Sequence, residues 1–259
     1  MQFYKYQGTG NDFVMIDDRK NQFDVTNTAL VKAWCDRRFG IGADGLILLR
    51  RCAEADFEMI YFNSDGNLSS MCGNGGRCIA RFAQELKMID SSCTFKAIDG
   101  LHQATLTKQE VALKMSDVKE VEIHNEEYYL NTGSPHWVKF ATDLTTLNVA
   151  EEGKKIRYND RFKTEGTNVN FVCFENNRLR IRTYERGVED ETLSCGTGIT
   201  AAALAYSINA KYAAGSYTIA LTAQGGNLNV RFDFDGQQSF TNIYLVGAAV
   251  KSFVGDIEI

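Results

Sequence analysis

The chain has little that would serve nucleic acid, a membrane or a metal. Lys and Arg number 28 against 33 Asp and Glu, a net charge of −5. There is no basic excess to pair with phosphates, which argues against a general nucleic-acid binder. No uninterrupted apolar run approaches the ~18 residues of a membrane span. The opening residues, MQFYKYQGTGNDF, lack a basic flank followed by an apolar core, so no signal peptide is expected. Only three histidines occur (His102, His124 and His136) and no two cysteines have Cys-x-x-Cys spacing. A zinc site or a dithiol redox motif therefore has weak support, and no metal is expected. Proline occurs once, in TGSPHW.

What is present is a chain of 259 residues, long enough to bury one large core or two smaller ones. Seven cysteines without a secretory signal point to reduced thiols and a cytoplasmic location. Short segments rich in β-formers dominate: 2–6, 12–17, 45–50 and 56–62, then 93–98, 101–107 and 111–115. The second half repeats the grammar at 127–131, 136–140, 169–174 and 178–184, with three more strands and a closing one in VKSFVGDIEI. Helices are expected over 27–38, with Asn27 as N-cap and Leu30, Ala33 and Trp34 on one face, over about 74–86, and over about 197–211. The helix in each half that follows a Cys-Gly-x-Gly turn is apolar enough to need burial on every side. The pattern predicts an α+β chain of two similar domains, each a sheet curled around a central apolar helix.

The two turns are Cys72-Gly73-Asn74-Gly75 and Cys195-Gly196-Thr197-Gly198. A thiol at a helix N-terminus meets unpaired N–H groups and the positive end of the macrodipole, which favour the thiolate. Glycines let backbone approach an anion closely. Set face to face across a cleft, the two turns could hold one carboxylate between them. One thiolate would then take a proton from the attached carbon, and the other thiol would deliver one to the opposite face. That inverts a stereocentre without a cofactor. Buried structural thiols, a zinc site and a disulfide remain alternative readings of the residues alone. Asn11, Asn63, Ser134, His136, Asn168, Glu185 and Arg186 add amides, a carboxylate and a guanidinium. Together they suit a small zwitterion, with Arg186 as the fork for a carboxylate.

Seven motifs in this order make the chain resemble the diaminopimelate epimerase family along essentially its whole length. They are GTGNDFVMID (8–17), RRFGIGADGLI (37–47), YFNSDG (61–66), MCGNGGRC (71–78), NTGSPHWV (131–138), EGTNVNFV (165–172) and YERGVEDETLSCGTG (184–198). The resemblance implies a cofactor-independent, two-base interconversion of LL- and meso-diaminopimelate, with Cys72 and Cys195 as the acid/base pair. It implies that Gly73-Asn74 and Gly196-Thr197 hold the reacting carboxylate. Asn63, Ser134, Asn168, Glu185 and Arg186 would read the distal head, with Asn11 nearby, and His136 and Glu185 would tune the cysteines. It further implies two pseudo-symmetric domains, 1–115 completed by a C-terminal strand at 248–259, and 116–247, with the active site in the cleft between them. A homodimer is expected. Two positions depart from some members: Gly45, where others carry Gln, and Ser134, where others carry Asn. Position 45 is therefore not assigned to binding, and a serine reaches less far. The competing functions are a cofactor-independent racemase of another amino acid, such as proline or hydroxyproline, and an inactive amino-acid-binding relative.

Overall fold

The computed structural model describes residues 1–258, so Ile259, the last residue of the expected C-terminal strand, lies outside the described residues. The described residues form an α+β structure of seventeen strands and four helices. They gather into two compact units, Met1–Leu113 with the chain from Gly247 onward, and Lys114–Val246.

The first unit contains β1 (Gln2–Gly8), β2 (Asn11–Asp17), α1 (Thr28–Cys35), β3 (Gly45–Arg50), β4 (Phe57–Asn63), α2 (Gly73–Glu85), β5 (Ser92–Ala97), β6 (Gly100–Leu106) and β7 (Val111–Lys114). Neighbours pair in sequence order. β1–β2, β3–β4, β5–β6 and β6–β7 are antiparallel. β2–β3 and β4–β5 are parallel. A parallel pair needs a crossover, and α1 and α2 supply one each.

The second unit contains β8 (Glu122–His124), β9 (Glu127–Asn131), β10 (Pro135–Phe140), α3 (Val149–Arg157), β11 (Asn168–Glu175), β12 (Arg178–Glu185), β13 (Asp190–Thr192), α4 (Gly196–Asn209), β14 (Gly215–Ala223), β15 (Gly226–Phe234) and β16 (Phe240–Gly247). β9 to β15 repeat the pairing of β1 to β6, with β13 as an insertion. β9–β10, β11–β12 and β14–β15 are antiparallel, while β10–β11 and β12–β14 are parallel. α3 and α4 are the crossovers. β17 (Val250–Asp256) pairs antiparallel with β1, as β8 does with β9.

Alternation along the strands separates two apolar layers in each unit. In the first, Val14, Ile16, Leu46, Leu48 and Phe62 pack with Val31, Trp34 and Cys35 of α1. On the other face, Phe13, Ile47 and Met59 lie against Gly75 of α2. In the second, Trp137, Val169, Phe171, Cys173 and Tyr184 pack with Val149 of α3. The central helices are enclosed. α2 touches β1, β2, β3 and β6, and α4 touches β9, β10, β11, β12, β14 and β15. Such a helix finds apolar partners on every side, so ten of the fourteen α4 residues are buried.

Several expectations need correction. α1 ends at Cys35, where the Asp36 backbone turns extended. Its buried face is Val31, Trp34 and Cys35, and Ala33 is exposed. α3, β8 and β13 were not expected. α3 buries only Val149 and Gly153, so its sequence carries little apolar periodicity. Its helical signals are electrostatic: an Asn148 cap, Glu151 and Glu152 in the first turn, and Lys154, Lys155 and Arg157 in the last. Asn11 and Asp12 are half-buried at the start of β2.

Candidate active site

The two outer helices are capped and the two central ones are not. Asn27 accepts from Leu30 N and Asn148 from Glu151 N, satisfying one orphan N–H in each case. At α2 and α4 the N-cap residues are Cys72 and Cys195. Neither side chain caps its helix, and neither first turn holds an acidic residue. Both thiols are half-buried, followed by a buried glycine. Both helix starts thus place first-turn N–H groups, where negative charge is favoured, beside a thiol.

In the first unit, strand alternation puts Asn11 with Phe13, and Asn63 with Met59 and Tyr61, on the α2 face. The Asn74 amide donates to Asn11 Oδ1 in a short hydrogen bond. Asn11 Nδ2 in turn donates to Asp44 Oδ2 at 3.0 Å. Asp44 and Asp12 share the Arg37 guanidinium, each at 2.6 Å, and Lys5 adds a second cation 2.8 Å from Asp12. Burial pushes the Asp12 carboxyl up, but hydrogen bonds from Arg37 and Lys5 outweigh it and hold it at about 2. This cluster fixes Asn11, and Asn11 fixes Asn74. Asn63 ends β4 half-buried, opposite Gly45 of β3. A Cβ at Gly45 would fall 2.5 Å from Phe62 O and from the Tyr61 ring, so Tyr61 fills the space that a longer residue at 45 would need.

In the second unit, His136 lies in register with Asn168, and Val138 with Asn170. Residues 136, 168 and 170 therefore share the α4 face. His136 is fully buried. Its Nε2 lies 2.8 Å from Thr197 Oγ1 and 3.0 Å from Ser134 Oγ, and its Nδ1 3.1 Å from Asn170 Nδ2. Asn170 also donates to Trp137 O and accepts from Thr183 Oγ1, which fixes its amide orientation. Nδ1 must then accept, so Nε2 carries the proton. Burial is the main cause that pushes His136 down to about 3, and the Arg186 charge adds to it against the Asn170 hydrogen bond. The imidazole is neutral at pH 7. With Nε2–H given to Thr197, that hydroxyl can donate its own proton to Cys195 Sγ, 3.4 Å away.

Asn168 donates to Ser134 Oγ at 3.2 Å and Pro135 O at 3.0 Å, and accepts from Arg186 N at 2.9 Å. Arg186 itself is exposed and donates to Glu165 O. Glu185 accepts from Thr192 Oγ1 at 2.8 Å. The second unit thus brings Ser134, His136, Asn168, Thr197 and Cys195 into one hydrogen-bonded group, with Glu185 and Arg186 at the end of β12. The first unit brings Asn11, Asn74 and Gly73 to the start of α2 beside Cys72, while Asn63 enters through the strand face alone. Sequence reasoning missed Asn170 and the buried Arg77. For Asn170 the signal was its place two residues after Asn168 in a strand, hence on the same face. Among the described residues, no group of three or more His, Cys, Asp and Glu is placed to hold a metal ion. None of their helices is long and apolar enough to cross a membrane.

Comparison with known proteins gives the family and the fold. The family model described as diaminopimelate epimerase matches residues 3–121 and 128–252. A diaminopimelate epimerase of Flavobacterium psychrophilum is 54% identical, over 96% of this chain and 97% of that protein. One from Aquifex aeolicus is 36% identical, over 98% and 97%. In fold, the chain is similar to the crystal structure of a Bacillus anthracis phenazine biosynthesis protein of the PhzF family. The TM-score is 0.76 at 13% identity, covering 100% of this chain and 99% of that one. Cys72 lies in the first matched segment and Cys195 in the second, and with relatives aligned along almost its entire length, this chain belongs to the diaminopimelate epimerase family.

Proposed function

We propose that the protein is a cofactor-independent isomerase that interconverts LL- and meso-2,6-diaminopimelate, in the synthesis of lysine and peptidoglycan precursors. The observation that carries this reading is the pair of cysteines at the N-caps of two uncapped buried helices, in a chain of this family. One thiolate, of Cys72 or Cys195, removes the α-proton. The other thiol protonates the opposite face of the carbon. Charge that develops on the carboxylate is met by first-turn N–H groups of Gly73-Asn74 and Gly196-Thr197. Asn11 supports Asn74, and His136 supports Thr197. Asn63, Ser134, Asn168, Glu185 and Arg186 receive the distal amine and carboxylate. In this proposal both thiols act on one substrate, the protein is cytoplasmic and it forms a homodimer, as the family resemblance implies.

The test is α-deuteration of LL-diaminopimelate in D₂O by reduced protein without added cofactor, followed by proton NMR. Exchange with appearance of the meso isomer is expected. Exchange of proline or hydroxyproline but not of diaminopimelate would replace this substrate, and no exchange of any amino acid would overturn the reaction class.

A further inference from the structure

Arg77 is a cation inside the protein with no carboxylate among its hydrogen-bond partners. Its side chain is completely buried. It runs back along α2 toward the N-terminus, the direction helical side chains take. Nη1 donates to Gly73 O at 3.3 Å, and Nη2 to Asn74 Oδ1 at 2.9 Å and Thr9 Oγ1 at 2.7 Å. Nε–H has no hydrogen-bond partner. All three acceptors are neutral. A guanidinium does not give up its proton in a protein, so burying it this way is costly unless an anion lies near. The guanidinium touches the two residues that directly follow Cys72. The anions in its reach are the thiolate forms of Cys72 and Cys78. Burial pushes Cys78 up to about 12, which keeps it a thiol and leaves Cys72 as the counter-charge.

The second unit supplies the control. Arg77 stands five residues after Cys72, and Thr200 stands five after Cys195. Thr200 Oγ1 donates to Gly196 O at 3.0 Å, the counterpart of the Arg77 bond to Gly73 O. A neutral hydroxyl therefore suffices for that backbone bond, and the charge at 77 does something further. Beside Cys195 the buried imidazole of His136 is neutral, and the nearby cation, Arg186, is exposed next to the Glu185 carboxylate.

We propose that Arg77 is the buried charge partner of Cys72 and biases the resting protein to one of its two protonation states, Cys72 thiolate with Cys195 thiol. Arg77 is a positioning residue: it acts through Cys72 and through the Asn74 amide it orients. The inference rests on the two-thiol reading above. In the turnover it implies, the substrate α-proton passes to Cys72 and the Cys195 proton passes to the opposite face. The protein is left as Cys72 thiol and Cys195 thiolate. Cys72 must then lose its proton to solvent and Cys195 regain one before the resting state returns. The isomer whose α-hydrogen meets Cys72 binds the resting form directly, and the other isomer binds the minor form.

Other titratable groups packed around α2 do not supply this charge. Tyr6 of β1 faces Glu85 and Cys78. Asp99, which accepts from Met71 N at 3.3 Å and pairs with His102, opposes the thiolate. Asp44 and Asp12 lie beyond Asn11, paired with Arg37 and Lys5.

The test is the pH dependence of iodoacetamide alkylation at each cysteine of the whole protein without substrate, read by peptide mass spectrometry. Cys72 is expected to titrate below Cys195. Arg77→Met should raise the apparent pKa of Cys72 by about one unit, slowing its alkylation at pH 7 about tenfold, and leave Cys195 unchanged. Arg77→Lys should retain most of the wild-type profile. An unchanged Cys72 profile in Arg77→Met overturns the proposal, and so does an equal rise at both thiols. If Arg77→Met does not fold, the wild-type profiles decide, because Cys195 titrating at or below Cys72 also overturns it. Failure of the epimerase reading would appear separately, as absence of exchange in D₂O.

Discussion

The Thr197 hydroxyl reaches Cys195 at the end of a series of side chains that begins at Thr183 and passes through Asn170 and His136. Each link is set by the one before it, so a change at Asn170 should reach the thiol without touching it. Asn170→Asp would replace the donor to Nδ1 by an acceptor, shift the imidazole proton to Nδ1 and leave Nε2 to accept from Thr197. The Thr197 hydroxyl proton would then be lost to Cys195. One charged or neutral hydrogen bond of this kind is worth about 1–2 kcal/mol, so kcat should fall roughly 5–30-fold with KM little changed. Steady-state kinetics of the variant check this, and an unchanged kcat would remove Asn170 from the chain of effects. His136 also sets a pH dependence of stability. Its folded pKa lies below its ordinary value, from 6.5 down to about 3, so the folded state binds fewer protons than the unfolded one in that window. The contribution is fully present above pH 6.5 and is lost as pH falls toward 3, at about 1.4 kcal/mol per pH unit. Urea unfolding at pH 7, 6 and 5 should show a decline that is shallower in His136→Gln. Equal slopes would mean that His136 takes up a proton in the fold.

Among the elements, α3 shows how closely a crossover helix must lie on its sheet. Gly153 faces Tyr184 of β12, and a Cβ there would fall 2.4 Å from Tyr184 Cβ and 2.5 Å from its Cγ. These atoms lie near the backbone and cannot swing away. Gly153→Ala gains about 1 kcal/mol of helix propensity and loses about 1–3 kcal/mol to overpacking. A net loss is expected, read as a lower urea midpoint, and a raised midpoint would show that α3 shifts outward at little cost. Gly198 makes the same kind of approach on the opposite face, where a Cβ would stand 2.4 Å from Asn170 Oδ1. The second glycine of CGTG therefore serves close packing against Asn170.

For the whole molecule, the proposed reaction needs two thiols that belong to different units of one chain. Cys72→Ala and Cys195→Ala should each fold, by circular dichroism, and each fail to epimerise. A mixture of the two variants should stay inactive, because no single chain then holds both thiols. Activity in the mixture would mean that a site draws its thiols from two chains. The variants separate this prediction from the charge at Arg77, which acts within the first unit alone.

By itself the amino-acid sequence determined the α+β class, most strands and both central helices, because their apolar runs and turn residues are local signals. The turn at 175–177 is an example. Asn176 and Asn177 both adopt positive φ, at 53° and 60°, as a two-residue hairpin turn demands. It also determined the two Cys-Gly-x-Gly motifs and the family, since those rest on residue order. α3 escaped because its stabilising pattern is charge placement, with only Val149 and Gly153 buried. Tertiary structure alone decided which polar residues are buried together. That Asn170 fixes the His136 tautomer follows from the parallel register of β10 and β11, which brings residues 34 apart within 3.1 Å. That Arg77 is a buried cation follows from the enclosure of α2 by β1, β2, β3 and β6. Neither depends on neighbours in the chain, and an arginine in a helix is by composition a surface residue until the fold covers it.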